Sequence, residues 1–289
     1  MTIVGKTPAP RLVWLQRGQA LYARALEKDP SLADAALWRA KVLDSLGRYA
    51  EALDLNSRAL ALYREKGDEK SVATVLNNIG LIHRSQGRYG EAMRLYEESL
   101  AITRRLGNEA GIATTLNNIG SIHDAQGRYG EAIRLYEESL AINRRLGNEA
   151  VIATTLTNIG GIHKIQGRYG EAMRVYEESL AINRRLGNEA GIATTLNIIG
   201  LIHGSPGRYG EAMRVYEESL AINRRLGSQA GIATTLRNMA YIHFKRGKYG
   251  ESLRLLCQTL AIKRRIGVST KTVEKNIAFL KNRVPGGGC

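Results

Sequence analysis

The chain has 289 residues, 44% of them apolar, which is enough material for a substantial core. Its formal charge of +15 is concentrated at one end, because residues 233–289 hold 12 basic and 2 acidic side chains whereas residues 73–232 hold 18 and 16. This distribution favours an acidic partner near the C-terminus and argues against a nucleic-acid groove along the whole molecule.

The two cysteines are too few for a disulfide framework, and they fit a reducing compartment. The first 16 residues lack the apolar run of a signal peptide, and no stretch approaches a membrane span. We therefore expect a soluble cytoplasmic protein.

In chain order, an N-terminal segment of residues 1–32 carries a lone capping helix over about residues 11–28. A 40-residue block then recurs, and six two-helix units are predicted over residues 33–72, 73–112, 113–152, 153–192, 193–232 and 233–272. A last capping helix is predicted over about residues 270–283. It starts inside the last repeat, so residues 273–284 are assigned to the remainder of this cap. Residues 285–289 form a glycine-rich tail that we expect to be disordered.

Each unit divides into two helices at the glycine of the motif GRYGEA. In the second unit Gly87 ends the first helix, and the second helix is predicted from Tyr89 to Leu106 with an apolar stripe. Gly107 ends that helix, and Asn108 is a plausible N-cap for the next one. No segment has the alternation typical of a strand.

Small residues recur where the two helices of a unit must touch, in the columns of Gly80 and Ala92, and tyrosines in the columns of Tyr89 and Tyr96 surround them. This pattern resembles the tetratricopeptide repeat. The standard repeat has about 34 residues. The segment 20–33, with Asp29-Pro30, resembles the second helix of such a standard repeat. The 40-residue units resemble the longer variant found in Leu-Gly-Asn-repeat scaffolds, kinesin light chains and bacterial signalling proteins.

The resemblance implies an all-α fold, a right-handed superhelical solenoid of stacked antiparallel helix pairs. It also implies a monomeric scaffold or adaptor that holds an extended or helical segment of a partner protein in a concave groove lined by the first helices. Neither catalysis nor a cofactor is expected from it.

Differences between the repeats indicate where that groove lies. Units 113–152 and 153–192 differ at seven positions, and four of the differences fall on one face of the first helix, in the columns of residues 117, 121, 124 and 125. The exposed residues of the second helices hardly vary. Free drift on a solvated face explains the varied stripe equally simply, but it would have affected both helices, so we interpret the stripe as the groove.

An asparagine column next to this stripe could pair with the backbone of a bound peptide, although these amides could instead bond neighbouring helices. Apolar side chains on the varied face of the C-terminal units could anchor it, or could simply pack against the next helix. Flanking cations favour a ligand that joins apolar to acidic residues. The predicted peptide-binding residues are Asn78, Asn118, Asn158, Asn238, Arg84, Asp124, Lys164, Ile165, Ile198, Leu201, Arg237, Tyr241, Phe244 and Lys245.

All five histidines occupy one column, at the aromatic position of the repeat, so packing explains them better than a metal site does. We predict no catalytic residue and no metal site; Cys257 is interpreted as packing or drift. The chaperone-tail clamp of some tetratricopeptide domains needs a set of Lys, Asn and Arg on successive first helices. Only Arg237 is suggestive of it here, so we predict no chaperone-tail binding.

Two other functions stay open. The basic C-terminal end could bind nucleic acid or another acidic surface, although few aromatic residues accompany its charges. The chain could also be the interaction arm of a larger signalling protein.

Overall fold

The computed structural model describes residues 10–29, 32–204, 207–284 and 289. The expectations for residues 1–9, Pro30, Ser205 and residues 285–288 of the tail lie outside this part of the chain. The described residues form helices and no strand, as predicted.

The helices alternate with short turns. Their bounds are α1 Pro10–Lys28, α2 Ala33–Ser45, α3 Tyr49–Glu65, α4 Glu69–Ser85, α5 Tyr89–Arg105, α6 Glu109–Ala125, α7 Tyr129–Leu146, α8 Glu149–Ile165, α9 Tyr169–Arg185, α10 Glu189–Gly204, α11 Tyr209–Arg225, α12 Gln229–Lys245, α13 Tyr249–Arg265 and α14 Lys271–Lys281. The two capping helices and the second helices start and end within two residues of the predicted positions. The first helices from α4 onward start four residues before the predicted unit boundaries, because the cap residue (Asp68 or Asn108, for example) precedes them directly.

The chain divides into two compact units, residues 1–146 with α1–α7 and residues 147–289 with α8–α14. Within each unit, the two helices of a repeat pack against each other and the second helix packs against the next first helix. Consecutive first helices also touch directly, as α4 and α6 do in the first unit and α10 and α12 in the second. Each unit is therefore a stack of helix pairs.

A glycine lies in each turn between successive helices from α2 to α14, as predicted. Gly87 and Gly107 have φ of 74° and 62°, the left-handed region that closes a helix, and the other inter-helix glycines do the same. Asn108 caps α6 by accepting a hydrogen bond from the backbone N–H of Gly111 at 3.1 Å. The repeat of helix, glycine and cap is thus encoded locally.

The core of each of the four middle repeats centres on a tyrosine. Tyr96, Tyr136, Tyr176 and Tyr216 are among the largest fully buried side chains, and each lies against the glycine sixteen residues before it. Burial raises the pKa of Tyr96 and of Tyr176 to about 12. The predicted close approach of the two helices at the Gly80 and Ala92 columns is confirmed, since Ala92 and its equivalents are fully buried.

Buried polar groups connect successive repeats. The Asn77 amide donates to Ser99 Oγ at 2.6 Å and to Thr115 Oγ1 at 2.9 Å, and Asn197 makes the same bonds to Ser219 and Thr235. The last residue of each set comes from the next first helix, so the bonds set how one repeat stacks on the next.

Ion pairs on the second helices explain why their exposed residues vary so little. Arg64 pairs with Glu98 at 2.7 Å and Arg184 with Glu218 at 2.8 Å, each across two successive second helices. A second set joins the end of a second helix to the start of the first helix in the same repeat, as Arg225 does with Glu189 at 2.6 Å. Part of the constancy that seemed to single out the first helices therefore has a structural reason.

The cysteines correct the expectation that they would not form a disulfide. Cys257 on α13 and Cys289 are bonded, with their Cα atoms 5.4 Å apart. The last residue of the tail, which was expected to be disordered throughout, is thereby fixed to the body of the second unit. Distant positions of a chain meet only in the folded structure, so cysteine counting could not find this pair.

Candidate functional site

The five histidines lie between the helices of their repeats. His83, His123, His203 and His243 are half-buried, and their buried Nδ1 atoms have no hydrogen-bond partner among the described residues. Burial lowers the pKa of each of these four, and nearby arginines such as Arg88 beside His83 lower it further. The predicted packing role is confirmed for this column. In the described ranges no three His, Cys, Asp or Glu side chains are grouped to hold a metal ion.

The predicted asparagine ladder needs correction at two positions. Asn118 and Asn238 are 8% and 6% exposed, and their amides donate to the Oδ1 atoms of Asn77 and Asn197 at 3.1 and 3.4 Å. These groups bond the preceding first helix, which is the alternative that the sequence left open. Asn78 and Asn158 are half-buried, and a buried Asn78 Nδ2 has no partner among the described residues.

The other two predicted residues of the first unit, Arg84 and Asp124, lie on successive first helices. Arg84 on α4 donates to Ser121 Oγ at 2.5 Å and thus joins two first helices. Asp124 on α6 is half-buried, and burial raises the pKa of its carboxyl. Both lie on the varied face, but Arg84 is already engaged with a neighbouring repeat.

In the second unit, the predicted anchor residues come together around one cavity of about 680 Å³. Leu201 of α10 and Tyr241 of α12 are 38% and 50% exposed on its wall, while Phe244 is half-buried. The predicted residues that line it are Leu201, Arg237, Asn238, Tyr241 and Phe244. Five others do not line it: Asn158 and Lys164 are half-buried on α8, Ile165 is 61% exposed on α8, Ile198 packs against the core, and Lys245 is exposed on α12.

Ala240 of α12 also lines the cavity, and the remaining wall comes from α13 and α14, which the sequence did not assign to the site. The lining residues of these two helices are Ser252, Leu256, Thr272, Asn276, Phe279 and Leu280. Phe279 is 46% exposed and makes an edge-on contact with Phe244, whose ring centroid is 6.0 Å away. The sequence did contain a signal for this residue: Phe279 lies beside the apolar stripe of α14 and not in it, which predicts an exposed aromatic side chain.

Phe244 combines two roles that the sequence presented as alternatives. Its ring packs 5.7 Å from that of Tyr249 and against Phe279, so it supports the contact of α12 with α13 and α14. Among the described residues Tyr241 makes no such ring contact, and the Lys245 ammonium lies 5.8 Å from its ring centroid. Tyr241 and Leu201 are therefore the side chains that a ligand could cover.

Positive charge surrounds this cavity. Arg237 lines it and is exposed, and the Arg283 guanidinium stacks on Phe279 at 3.8 Å. The outward face of α14 is basic, since Lys271, Lys275 and Lys281 are exposed, whereas Val273, Ile277 and Leu280 are buried. The arrangement can bind an apolar side chain within an electropositive rim.

Comparison with known proteins identifies the repeat. The family profile described as tetratricopeptide repeat matches residues 31–105, 71–145, 111–185, 151–225 and 191–265. The sequence matches none of the curated proteins compared with it. No helix in the described ranges is both long and apolar enough to cross a membrane.

Solved structures share the fold at low sequence identity. BtubC (BKLC) from P. vanneervenii aligns with a TM-score of 0.64 and 20% identity, over 88% of this chain and 92% of that one. The nearly identical TPR-like repeats of a kinesin light chain protein from Podosopora anserina align with a TM-score of 0.54 and 18% identity, over 69% of this chain and 98% of that one. A Rap protein in complex with competence and sporulation factor aligns with a TM-score of 0.64 and 13% identity, over 96% and 86%.

These likenesses extend over most of the chain, and the profile matches follow one another along residues 31–265 with the period seen in the helix pairs. Proteins built from such repeats are generally protein-interaction scaffolds, and the fold is typically non-enzymatic. The chain belongs to the tetratricopeptide repeat family.

Proposed function

We propose that this chain is an interaction scaffold that binds a segment of a partner protein at the cavity of the second unit. The observation that carries the proposal is the exposure of Leu201, Tyr241 and Phe279 around about 680 Å³ of open volume. Exposed apolar groups that line a concavity are typical of contact surfaces, and aromatic anchors dominate the energy of such contacts.

The charge around the cavity supports a partner with acidic residues. Residues 233–289 carry an excess of basic side chains, and Arg237, Lys245 and Arg283 lie on or next to the cavity wall. A ligand that places an apolar side chain among Leu201, Tyr241 and Phe279 would leave its neighbours facing these cations. The proposal takes a monomer as the binding species and the cytoplasm as its location, and it assigns the chain no catalysis.

The test begins with a phage-displayed library of random peptides selected on the full chain, followed by anisotropy titrations of the selected peptides. Tyr241→Ser and Leu201→Ser introduce the residue found in the same column at Ser121, so a helix of this protein already accepts it. We expect the double variant to weaken binding by about tenfold or more, since two partly exposed anchors are truncated. Its melting temperature should stay close to that of the wild type.

Ile165→Ala is the matched control, because Ile165 is an exposed apolar residue of a first helix that does not line the cavity. It should leave affinity unchanged. Phe244→Ala should instead lower the melting temperature, because the ring supports α14. If Ile165→Ala weakens binding as much as the double variant does, the ligand occupies the varied face elsewhere and the cavity proposal is wrong.

The alternative of a nucleic-acid site rests on the same basic end. Titration with a single-stranded oligonucleotide distinguishes the two, because counterion release would give binding that falls steeply with salt and does not depend on Tyr241. Peptide binding at the cavity predicts the opposite: dependence on Tyr241 and a modest effect of salt.

A further inference from the structure

A second, smaller depression of about 160 Å³ lies on the same helix as the cavity. It is lined by residues of α12, α13 and the turn that follows α13: Ala230, Ala233, Thr234, Arg237, Thr259, Lys263, Ile266 and Val268. Arg237 lines both concavities, so it separates them. Neither the peptide proposal nor the family assigns a role to this depression.

The repeat explains how the depression arises. One repeat earlier, the equivalent space is filled by a closed polar network, in which Asn197 donates to Ala193 O, Ser219 Oγ and Thr235 Oγ1. Thr235 belongs to the following first helix. In the last repeat α14 follows instead, and its residue in that column, Lys275, is exposed and does not line the depression. No residue that the structure describes therefore fills the space that corresponds to the Thr235 hydroxyl of the earlier network, and this space is the depression.

Two substitutions relative to the earlier repeats put positive charge into this open space. Arg237 stands where the preceding repeat has Asn197, and Lys263 stands where it has Asn223, an asparagine that is 6% exposed and bonded to Ser219. Within the described residues neither Arg237 nor Lys263 forms an ion pair. Several arginines at the ends of the second helices do have carboxylate partners, such as Arg225 with Glu189 and Arg264 with Glu274.

We propose that the depression binds a carboxylate of the partner segment, held between Arg237 and Lys263, next to the apolar side chain in the larger cavity. The Thr234 and Thr259 side chains add hydroxyl groups to its lining, and Ile266 and Val268 form an apolar border. Two cations around one small concavity match the charge of an Asp or Glu side chain. Because Arg237 belongs to both linings, the acidic residue lies close to the apolar anchor in the ligand.

This inference rests on the proposed function, and it adds a specificity that the larger cavity does not supply. It disfavours peptides that offer an apolar anchor without a nearby acid. It also predicts that the two sites act on one ligand, so removal of the cations should alter the preference among peptides rather than abolish binding.

The experiment uses peptides selected on the full chain and the same peptides with each acidic residue replaced by its amide. For wild type, we expect the Glu or Asp form to bind about tenfold more tightly than the Gln or Asn form, in line with a charge-assisted hydrogen bond. The variant Arg237→Asn with Lys263→Asn restores the residues of the preceding repeat. It should bind both forms with the affinity that wild type shows for the amide form.

Arg264→Asn with Arg265→Asn is the matched control, because it removes the same charge from the same end of α13 outside the depression. It should keep the preference for the acidic form. Wild type that binds both forms equally, or an Arg237→Asn, Lys263→Asn variant that retains the preference, would overturn the carboxylate site and leave the scaffold function intact. If the library yields no peptide that binds wild type, both proposals fail.

Discussion

The phenol ring of Tyr96 lies so close to Gly80 that a Cβ atom on the glycine would be 2.5 Å from Cε1 of the ring. The same relation holds between Gly160 and Tyr176, where the distance to Cζ would be 2.8 Å. The first and last repeats have alanine at the glycine position, and they have no tyrosine opposite: Ala40 goes with Asn56 and Ala240 with Leu256. The two columns therefore vary together, as expected of residues in direct contact.

Gly80→Ala should destabilise the chain. Alanine normally stabilises a helix by up to about 1 kcal/mol relative to glycine, but here overpacking against Tyr96 should cost about 1–3 kcal/mol and prevail. The companion variant Gly80→Ala, Tyr96→Leu copies the last repeat. It should be less destabilised than the two single substitutions would predict if their effects added, by about 1 kcal/mol in the free energy of unfolding. Urea titration measures all three.

Gly90→Ala is the control for helix propensity, because among the described residues no atom apart from its chain neighbours and its own helix backbone lies within 4 Å of the position that its Cβ would take. It should raise the free energy of unfolding slightly or leave it unchanged. Equal stabilisation by Gly80→Ala and Gly90→Ala would refute the close contact.

The histidine column should make the fold less stable in mild acid. The pKa values of His83, His123, His203 and His243 are lowered in the folded state, chiefly by burial, so the unfolded chain takes up protons at a higher pH. Their contribution is fully present above the unfolded value near about pH 6.5 and is lost progressively as the pH falls toward the folded values.

NMR titration of the imidazole protons should give these four rings pKa values below that of a free histidine. His203→Phe keeps an aromatic ring without a titrating group, so it should reduce the loss of stability between neutral pH and mild acid. Rings that all titrate at the free value would contradict the packing role.

The outward lysines of α14 should act through long-range charge. Lys271, Lys275 and Lys281 are exposed, so replacement of all three by Gln should leave the helical circular dichroism unchanged. If the partner is acidic, the association rate should fall and its salt dependence should weaken, while the dissociation rate changes little. Arg283 is left intact in this variant because it stacks on Phe279 at the cavity.

Stopped-flow association with a selected acidic peptide, over a range of salt concentrations, measures this effect. The amide form of the peptide serves as the control and should respond little to the substitutions. An unchanged salt slope for the acidic peptide would leave these three lysines without a part in recognition.

The disulfide should stabilise the second unit. It joins residues 32 positions apart and encloses α14, so opening it restores chain entropy to the unfolded state, with a typical effect of about 2–4 kcal/mol. Cys289→Ser should therefore lower the melting temperature under oxidising conditions and have no effect when a dithiol reductant is present. Thiol counting of the protein isolated from its cells, with and without reductant, shows whether the cysteines are oxidised there. Two free thiols in the native protein would show that the disulfide is absent in the cell and does not stabilise the protein there.

The sequence predicted the helices and their order because their signals are local. The glycines at positive φ, the cap at Asn108 and the apolar stripes act within one or two turns of helix, and the period repeats them. The contact between the Gly80 and Tyr96 columns was also accessible, since one chain contains several copies of the same pair to compare.

The candidate site could be predicted only in part. Leu201, Tyr241 and Phe244 stood out because they depart from the other repeats, yet the sequence could not tell that Phe244 supports α14 whereas Tyr241 stays exposed. Asn118 and Asn238 have the side chain that a peptide ladder needs, and the tertiary structure instead directs their amides to the preceding helix. The difference depends on which neighbour is close enough to accept the bond.

The sequence by itself determined the all-helical repeat, the positions of its turns and the pairing of small with large residues, since each depends on chain-local geometry or on comparison between copies. Only the tertiary structure decided that α14 closes the cavity with Phe279, that Arg237 and Lys263 share a depression, and that Cys257 meets Cys289. Those relations join residues from different helices, and helix packing determines the distances between them after each helix has formed.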